Sequence, residues 1–160
     1  MELTNFAKKN ADSIKPYSLQ HQSLEPLPLK VLVVEDDKAQ WLMWSHILHS
    51  LDREVKIDWE TTQELAQALL IQAYHNDDPY DLVVSDIYLE GQGTGPDLWN
   101  KVGEAAEHFI FVTGTSLTES ELKDQLNYGE PQFLKKPISI STCRKLIQDI
   151  CELKKVGGKS

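Results

Sequence analysis

From Lys30 onward the chain alternates two hydrophobic patterns, short unbroken apolar runs and longer stretches with helical spacing. Val31-Leu32-Val33-Val34 has no polar interruption and ends on three acids, which predicts a buried strand. Asp37 stands where an N-cap is needed, and Trp41, Trp44, Ile47, Leu48 and Leu51 recur as the inward face of a first helix. Val55, Ile57 and Trp59 alternate with polar residues as a second strand. Thr61 and Glu64 then have capping-box spacing ahead of a helix carrying Leu65, Ala66, Leu69 and Leu70. Leu82-Val83-Val84 predicts a third strand ending at Ser85-Asp86, followed by a loop with glycines from Gly91 to Gly95 and a helix with Pro96 at its first position.

Phe109 to Val112 makes a fourth strand, and Thr118 with Glu121 repeats the capping-box spacing for a fourth helix. Gln132-Phe133-Leu134 is a short fifth strand running into Lys135-Lys136-Pro137. A last helix places Ile140, Cys143, Leu146, Ile147, Ile150 and Leu153 on one stripe. Continuous apolar strands alternating with helices specify an α/β fold, because parallel strands need crossovers and the crossovers cover both faces of the sheet. The expected architecture is a five-stranded parallel, doubly wound sheet over residues 30–155. Residues 1–29 hold three of the seven prolines and no sustained apolar period, so they are expected to form a flexible arm, with 156–160 a C-terminal tail.

A length of 160 residues allows one domain with a real core but no second domain of useful size. A net charge of −9 argues against binding a phosphate backbone, so no nucleic-acid partner is expected. No apolar run reaches the roughly 18 to 20 residues that span a bilayer, and the start has no apolar segment of the secretory kind. A cytoplasmic protein with no membrane contact is the expectation. Cys143 and Cys151 lie eight residues apart on one helix, about 12 Å by helical rise, so they cannot bridge each other. His46 and His49 share a helix face without a third ligand at an evident spacing, which favours surface residues over a metal site.

In an open doubly wound sheet the binding crevice lies outside the carboxyl ends of the strands. Here those ends carry Glu35-Asp36-Asp37, Asp86, Thr113 and Lys136. Carboxylates clustered at one edge repel, and a hard divalent cation relieves the repulsion. Mg2+, with Mn2+ as a substitute, suits Asp36 and Asp86 as direct ligands, Glu35 through water and the backbone carbonyl of Tyr88. A carboxylate can attack phosphorus if charge on the transferring oxygens is neutralised, which Lys136 and the metal would do, with Thr113 adding a hydroxyl donor. Asp37 keeps its simpler reading as a cap.

Four motifs in this order carry a resemblance: VVEDD at Val33 to Asp37, DLVVSDIYL at Asp81 to Leu89, FIFVTGT at Phe109 to Thr115 and FLKKP at Phe133 to Pro137. Over residues 30 to about 155 the chain resembles the CheY-like receiver domain of response regulators. The fold this implies is a flavodoxin-like (βα)5 sheet with strand order 2-1-3-4-5. The resemblance further implies Asp86 as phosphoacceptor, Glu35 and Asp36 as the acidic pair, Thr113 and Phe133 as the switch pair, Lys136 as the phosphate-contacting lysine, and a cis peptide at Lys136-Pro137.

The implied function is a single-domain response regulator of a phosphorelay. It would take its phosphoryl group from a sensor histidine kinase or a histidine phosphotransfer protein, with no turnover of an external substrate. Its readout would be a downstream protein or self-association through the face of helix four, strand five and helix five. A degenerate receiver acting only as a scaffold is the alternative, though neither the acids, Asp86 nor Lys136 is missing. A phosphatase of the haloacid dehalogenase type would carry a second acid two residues past its nucleophile, where this chain has Tyr88. The chain departs from the receiver pattern at Glu90, where proline is usual, and in a loop to Gly95 one residue longer.

Overall fold

The computed structural model describes residues 27–114 and 118–156, with residues 153–156 described as helix only. Most of the expected arm, Thr115 in the third motif, Leu153 on the last helical stripe and nearly all of the tail therefore lie outside the described residues. In chain order the elements are β1 (Leu29–Val34), α1 (Lys38–His49), β2 (Val55–Glu60), α2 (Gln63–His75), β3 (Tyr80–Asp86) and α3 (Gly95–Val102). A short 3-10 turn (Gly103–Ala105) then leads to β4 (Ala106–Thr113), α4 (Glu119–Lys123), β5 (Gln132–Lys135) and α5 (Ile140–Val156). The strands form one parallel sheet in the order β2-β1-β3-β4-β5, a flavodoxin-like fold with the topology expected. β1 starts at Leu29, which is buried, one residue ahead of Lys30.

Strand periodicity divides the interior in two. Val31, Val33, Leu82, Val84, Ile110 and Val112 point to one face and pack with Trp44, Ile47 and Leu48 of α1 and Cys143, Ile147 and Ile150 of α5. Leu32, Val34, Val83, Phe109 and Phe111 point to the other, against Ala66 and Leu70 of α2, Leu98 and Trp99 of α3 and Leu122 of α4. Because both faces are covered, the central strands carry no polar alternation. Cys143 and Cys151 are both buried, and burial pushes the Cys143 thiol up to about 11, so at neutral pH it is a small apolar filler.

Several side chains depart from the expected inward faces. Trp41 is 40% exposed, resting edge-on against Trp59 with ring centroids 6.2 Å apart, whereas Trp44 is 1% exposed. Its neighbour β2 is the edge strand, which offers cover on one side only. On α2 the buried stripe is Gln63, Ala66, Leu70 and Ala73, and Leu65, one residue and about 100° from Ala66, faces out. Ile140, the first residue of α5, is also exposed.

The helix caps differ in detail from their sequence signals. Asp37 caps α1, its Oδ1 accepting from the Ala39 amide at 2.8 Å. Thr62 rather than Thr61 caps α2, its hydroxyl oxygen accepting from the Leu65 amide. Pro96 is the second residue of α3, behind a capping box formed by Thr94 and Asp97. The Thr118–Glu121 box forms as expected, yet α4 ends after five residues. The chain beyond it folds back onto α3. There the Trp99 indole donates to the Tyr128 carbonyl at 2.8 Å, the Tyr128 hydroxyl donates to the Trp99 carbonyl, and Asn100 bonds both Gln125 and Asn127.

Burial sets the cost of truncation. Trp44→Ala should lose about 3–5 kcal/mol in urea unfolding, whereas Trp41→Ala should lose only about 1 kcal/mol. Equal losses would contradict the outward placement of Trp41.

Candidate functional site

Parallel register brings the four strand ends of interest to one edge. Val34 pairs with Ser85, Asp86 with Val112 and Thr113 with Lys135, so Glu35, Asp86, Thr113 and Lys136 lie side by side. The ladder extends past the strands: the Glu35 amide donates to the Glu60 carbonyl at 2.9 Å and the Lys136 amide to the Thr113 carbonyl at 2.7 Å. The Lys136-Pro137 peptide is cis, as the resemblance implied. Gly95 closes the floor of the site, since a Cβ there would stand 2.4 Å from the Asp86 carbonyl oxygen and 3.0 Å from the Phe111 ring.

The Lys136 ammonium bridges the two inner carboxylates. Its Nζ donates to Asp86 Oδ2 at 2.6 Å and to Glu35 Oε2 at 3.2 Å. The other Asp86 oxygen, Oδ1, accepts from the amides of Ile87 at 2.6 Å and Tyr88 at 3.3 Å, which fixes the plane of the carboxylate. Burial pulls the Lys136 pKa down, but the hydrogen bond and charge of Asp86, helped by Glu35, outweigh it and hold the lysine above its ordinary value. Glu35 is 2% exposed, and its pKa is pushed up to about 7. Burial is the main cause; the Asp37 amide and Lys136 pull it down while the Asp86 charge adds to the rise.

Around this pair, Asp36 is exposed, Thr113 is buried, and Tyr88 is largely exposed beside Asp86. Phe133 is half-buried and stacks on Phe111 with centroids 5.6 Å apart. Lys135 points to solvent, and so do His46 and His49 on α1, the latter bonding the Ser45 carbonyl. Among the described residues no three acidic, histidine or cysteine side chains converge into a cage for a metal. Magnesium does not require one, since it commonly takes one or two carboxylates and keeps its waters. The oxygen-only donors of Asp36, Asp86 and Glu35 and the Tyr88 carbonyl fit such an ion.

The loop after Asp86 has a definite form that the sequence signalled only by its glycines. It turns at Gly91, whose φ is +98°, and closes where Tyr88 pairs with Thr94, while Glu90 pairs with Thr62 at the entrance to α2. Glu90, in place of the usual proline, therefore leaves a backbone amide available on the paired segment.

The raised pKa of Glu35 carries a sign for stability. The folded chain holds this proton more tightly than the unfolded chain does, so stability is lost as pH rises from about 4.5 through about 7. In chelator-treated protein, the unfolding free energy of Glu35→Gln relative to wild type should shift in favour of the variant between pH 5 and pH 8. A difference that stays flat in urea titrations across that range would show that Glu35 ionises normally.

The model of the response regulator receiver domain family matches residues 31–148. A receiver domain protein of the CheY-like type from Methanospirillum hungatei JF-1 superposes with a TM-score of 0.63 at 24% identity, covering 81% of this chain and 99% of that one. The chemotaxis protein CheY4 of Vibrio cholerae superposes with a TM-score of 0.57 at 24% identity, covering 77% and 98%. The 3',5'-cyclic-nucleotide phosphodiesterase regA of Dictyostelium discoideum is 25% identical over 137 residues, 79% of this chain but only 16% of that protein's length. Receiver domains are signalling modules that generally take phosphoryl groups from histidine kinases and typically use Mg2+. With the family model spanning most of the sheet and its helices, this chain belongs to the response regulator receiver domain family of two-component signalling.

Proposed function

We propose that the chain accepts a phosphoryl group on Asp86 from the phosphohistidine of a sensor histidine kinase or histidine phosphotransfer protein. The observation that carries this reading is the Lys136 ammonium, 2.6 Å from Asp86 and 3.2 Å from Glu35 at the carboxyl edge of the sheet. One Asp86 oxygen attacks phosphorus, the bond to the donor imidazole nitrogen breaks, and that nitrogen keeps the electron pair. An acyl phosphate results. Hydrolysis reverses the charge change when water attacks phosphorus and the bond to the Asp86 oxygen breaks.

Asp36 and Asp86, with Glu35 through water and the Tyr88 carbonyl, would hold Mg2+ or Mn2+, which supplies positive charge against the transferring oxygens. Lys136 contributes a second positive charge, and the Ile87 and Tyr88 amides orient the carboxylate. The buried Thr113 hydroxyl senses the new anion, and Phe133, on the adjoining strand, relays the change to the face of α4, β5 and α5. A docked protein, a relay histidine or a second copy of the chain then reads that face. Nothing in the net charge of −9 favours nucleic acid as the reader.

Incubation with acetyl phosphate and Mg2+ should add the mass of one phosphoryl group to wild type and none to Asp86→Asn, and chelation should abolish the adduct. Equal labelling of both proteins, or of neither with several donors, would return the chain to a phosphorylation-independent scaffold. Tyr88 stands beside the acceptor and restricts the approach of water, so Tyr88→Ala should speed loss of the adduct several-fold. Decay that is unchanged or slower, followed by intact mass, would remove that role from Tyr88.

A further inference from the structure

The loop that carries Tyr88 is seated on a residue remote from the chemistry. Its return arm runs through Gly93 to Thr94, which pairs with Tyr88, so the position of Gly93 is passed to Tyr88 through the backbone. Against Gly93 lies Gln63, the first residue of α2, which is only 1% exposed on a face otherwise made by Ala66, Leu70 and Ala73. The Gln63 Oε1 accepts from Lys101 Nζ of α3 at 3.1 Å, and its Nε2 donates to Gln67 Oε1 at 2.7 Å. A buried amide is costly unless bonded, and here both of its ends are bonded. The fit is close: a Cβ on residue 93 would stand 2.3 Å from the Gln63 Oε1, 2.9 Å from its Cδ and 2.8 Å from its Cβ. Rotating the amide away would not remove the last of these contacts.

We infer that Gln63, held by Lys101 and seated against Gly93, is a positioning residue for the Asp86 site. It joins α2, α3 and the 88–94 loop at one point, and so fixes where the Tyr88 carbonyl and ring stand relative to Asp86. Outer partners of this kind set metal affinity without touching the ion. The inference deepens the phosphoacceptor reading and rests on it.

Binding of Mn2+ to the full chain, read from the free-ion signal in electron paramagnetic resonance, tests it at a temperature where every variant is folded. Gly93→Ala should weaken Mn2+ binding about tenfold, the scale found for outer partners of metal ligands. Gln63→Gly should weaken it too, by releasing the loop. The double variant should bind no worse than Gln63→Gly alone, because the atoms that the new methyl would strike are gone; a contact pair behaves in this non-additive way. Amide exchange of residues 88–94 in metal-free protein should rise in both single variants.

Wild-type affinity in both single variants, or losses that simply add in the double variant, would overturn the positioning role. Either result is separable from failure of the site itself. A wild-type chain that neither binds Mn2+ nor takes the phosphoryl group of acetyl phosphate would overturn the phosphoacceptor reading and this inference with it.

Discussion

Parallel pairing governs this molecule more than any single contact. A strand can join a parallel neighbour only after a crossover, so every strand runs the same way and all five carboxyl ends arrive at one edge. That edge collects Glu35, Asp36 and Asp86 from two adjacent strands, an arrangement that Coulomb repulsion would oppose if nothing answered it. Lys136 answers it from the far side of the sheet, reaching past β4 to both inner carboxylates. The bridge closes a separation of 101 residues along the chain for Glu35 and 50 for Asp86, so it exists only when the whole sheet is assembled.

The two faces of the sheet do different work beneath that edge. The face covered by α1 and α5 is mostly aliphatic, with Trp44 and the partly buried Trp59 as its rings and Cys143 and Cys151 as small fillers. The opposite face holds a file of rings, Phe133 on Phe111, Phe111 beside Phe109 and Phe109 edge-on to Trp99, which in turn stacks on Tyr128. Such pairs add specific geometry to burial. The file runs from β5 across β4 to α3, and the Trp99 and Asn100 hydrogen bonds then bind the segment after α4 to α3. This tie accompanies an α4 of only five residues, whose capping box is sound and whose apolar spacing continues past the helix to Leu126, packed on the same core.

Elements with strong periodicity were legible in the sequence, and so was the meeting of Glu35, Asp86, Thr113 and Lys136 at one edge of the sheet. An unbroken apolar run such as Leu82-Val83-Val84 has few alternatives in a chain that also carries amphipathic helices. The capping box at Thr118 was equally plain. Less legible were choices between adjacent candidates: Thr61 and Thr62 have the same chemistry, and only the turn that the backbone takes at Thr62 selects the cap. Trp41 and Leu65 satisfied a helical stripe on paper, yet the edge position of β2 and the rotation of α2 left them exposed. Gln63 gave no signal at all, because a glutamine is ordinarily a surface residue and its burial depends on Gly93 and Lys101, 30 and 38 residues away.

By itself the sequence determined the class of fold, the order of its elements and the chemical types that end the strands, because hydrophobic period and local turn chemistry act over a few residues. Tertiary structure alone decided that Lys136 would bridge Glu35 and Asp86, that burial would push the Glu35 pKa up, and that the loop after Asp86 would lie against Gln63. These depend on distance, desolvation and steric fit between segments far apart in the chain. Such quantities take values only once the sheet and its crossovers have brought the segments together.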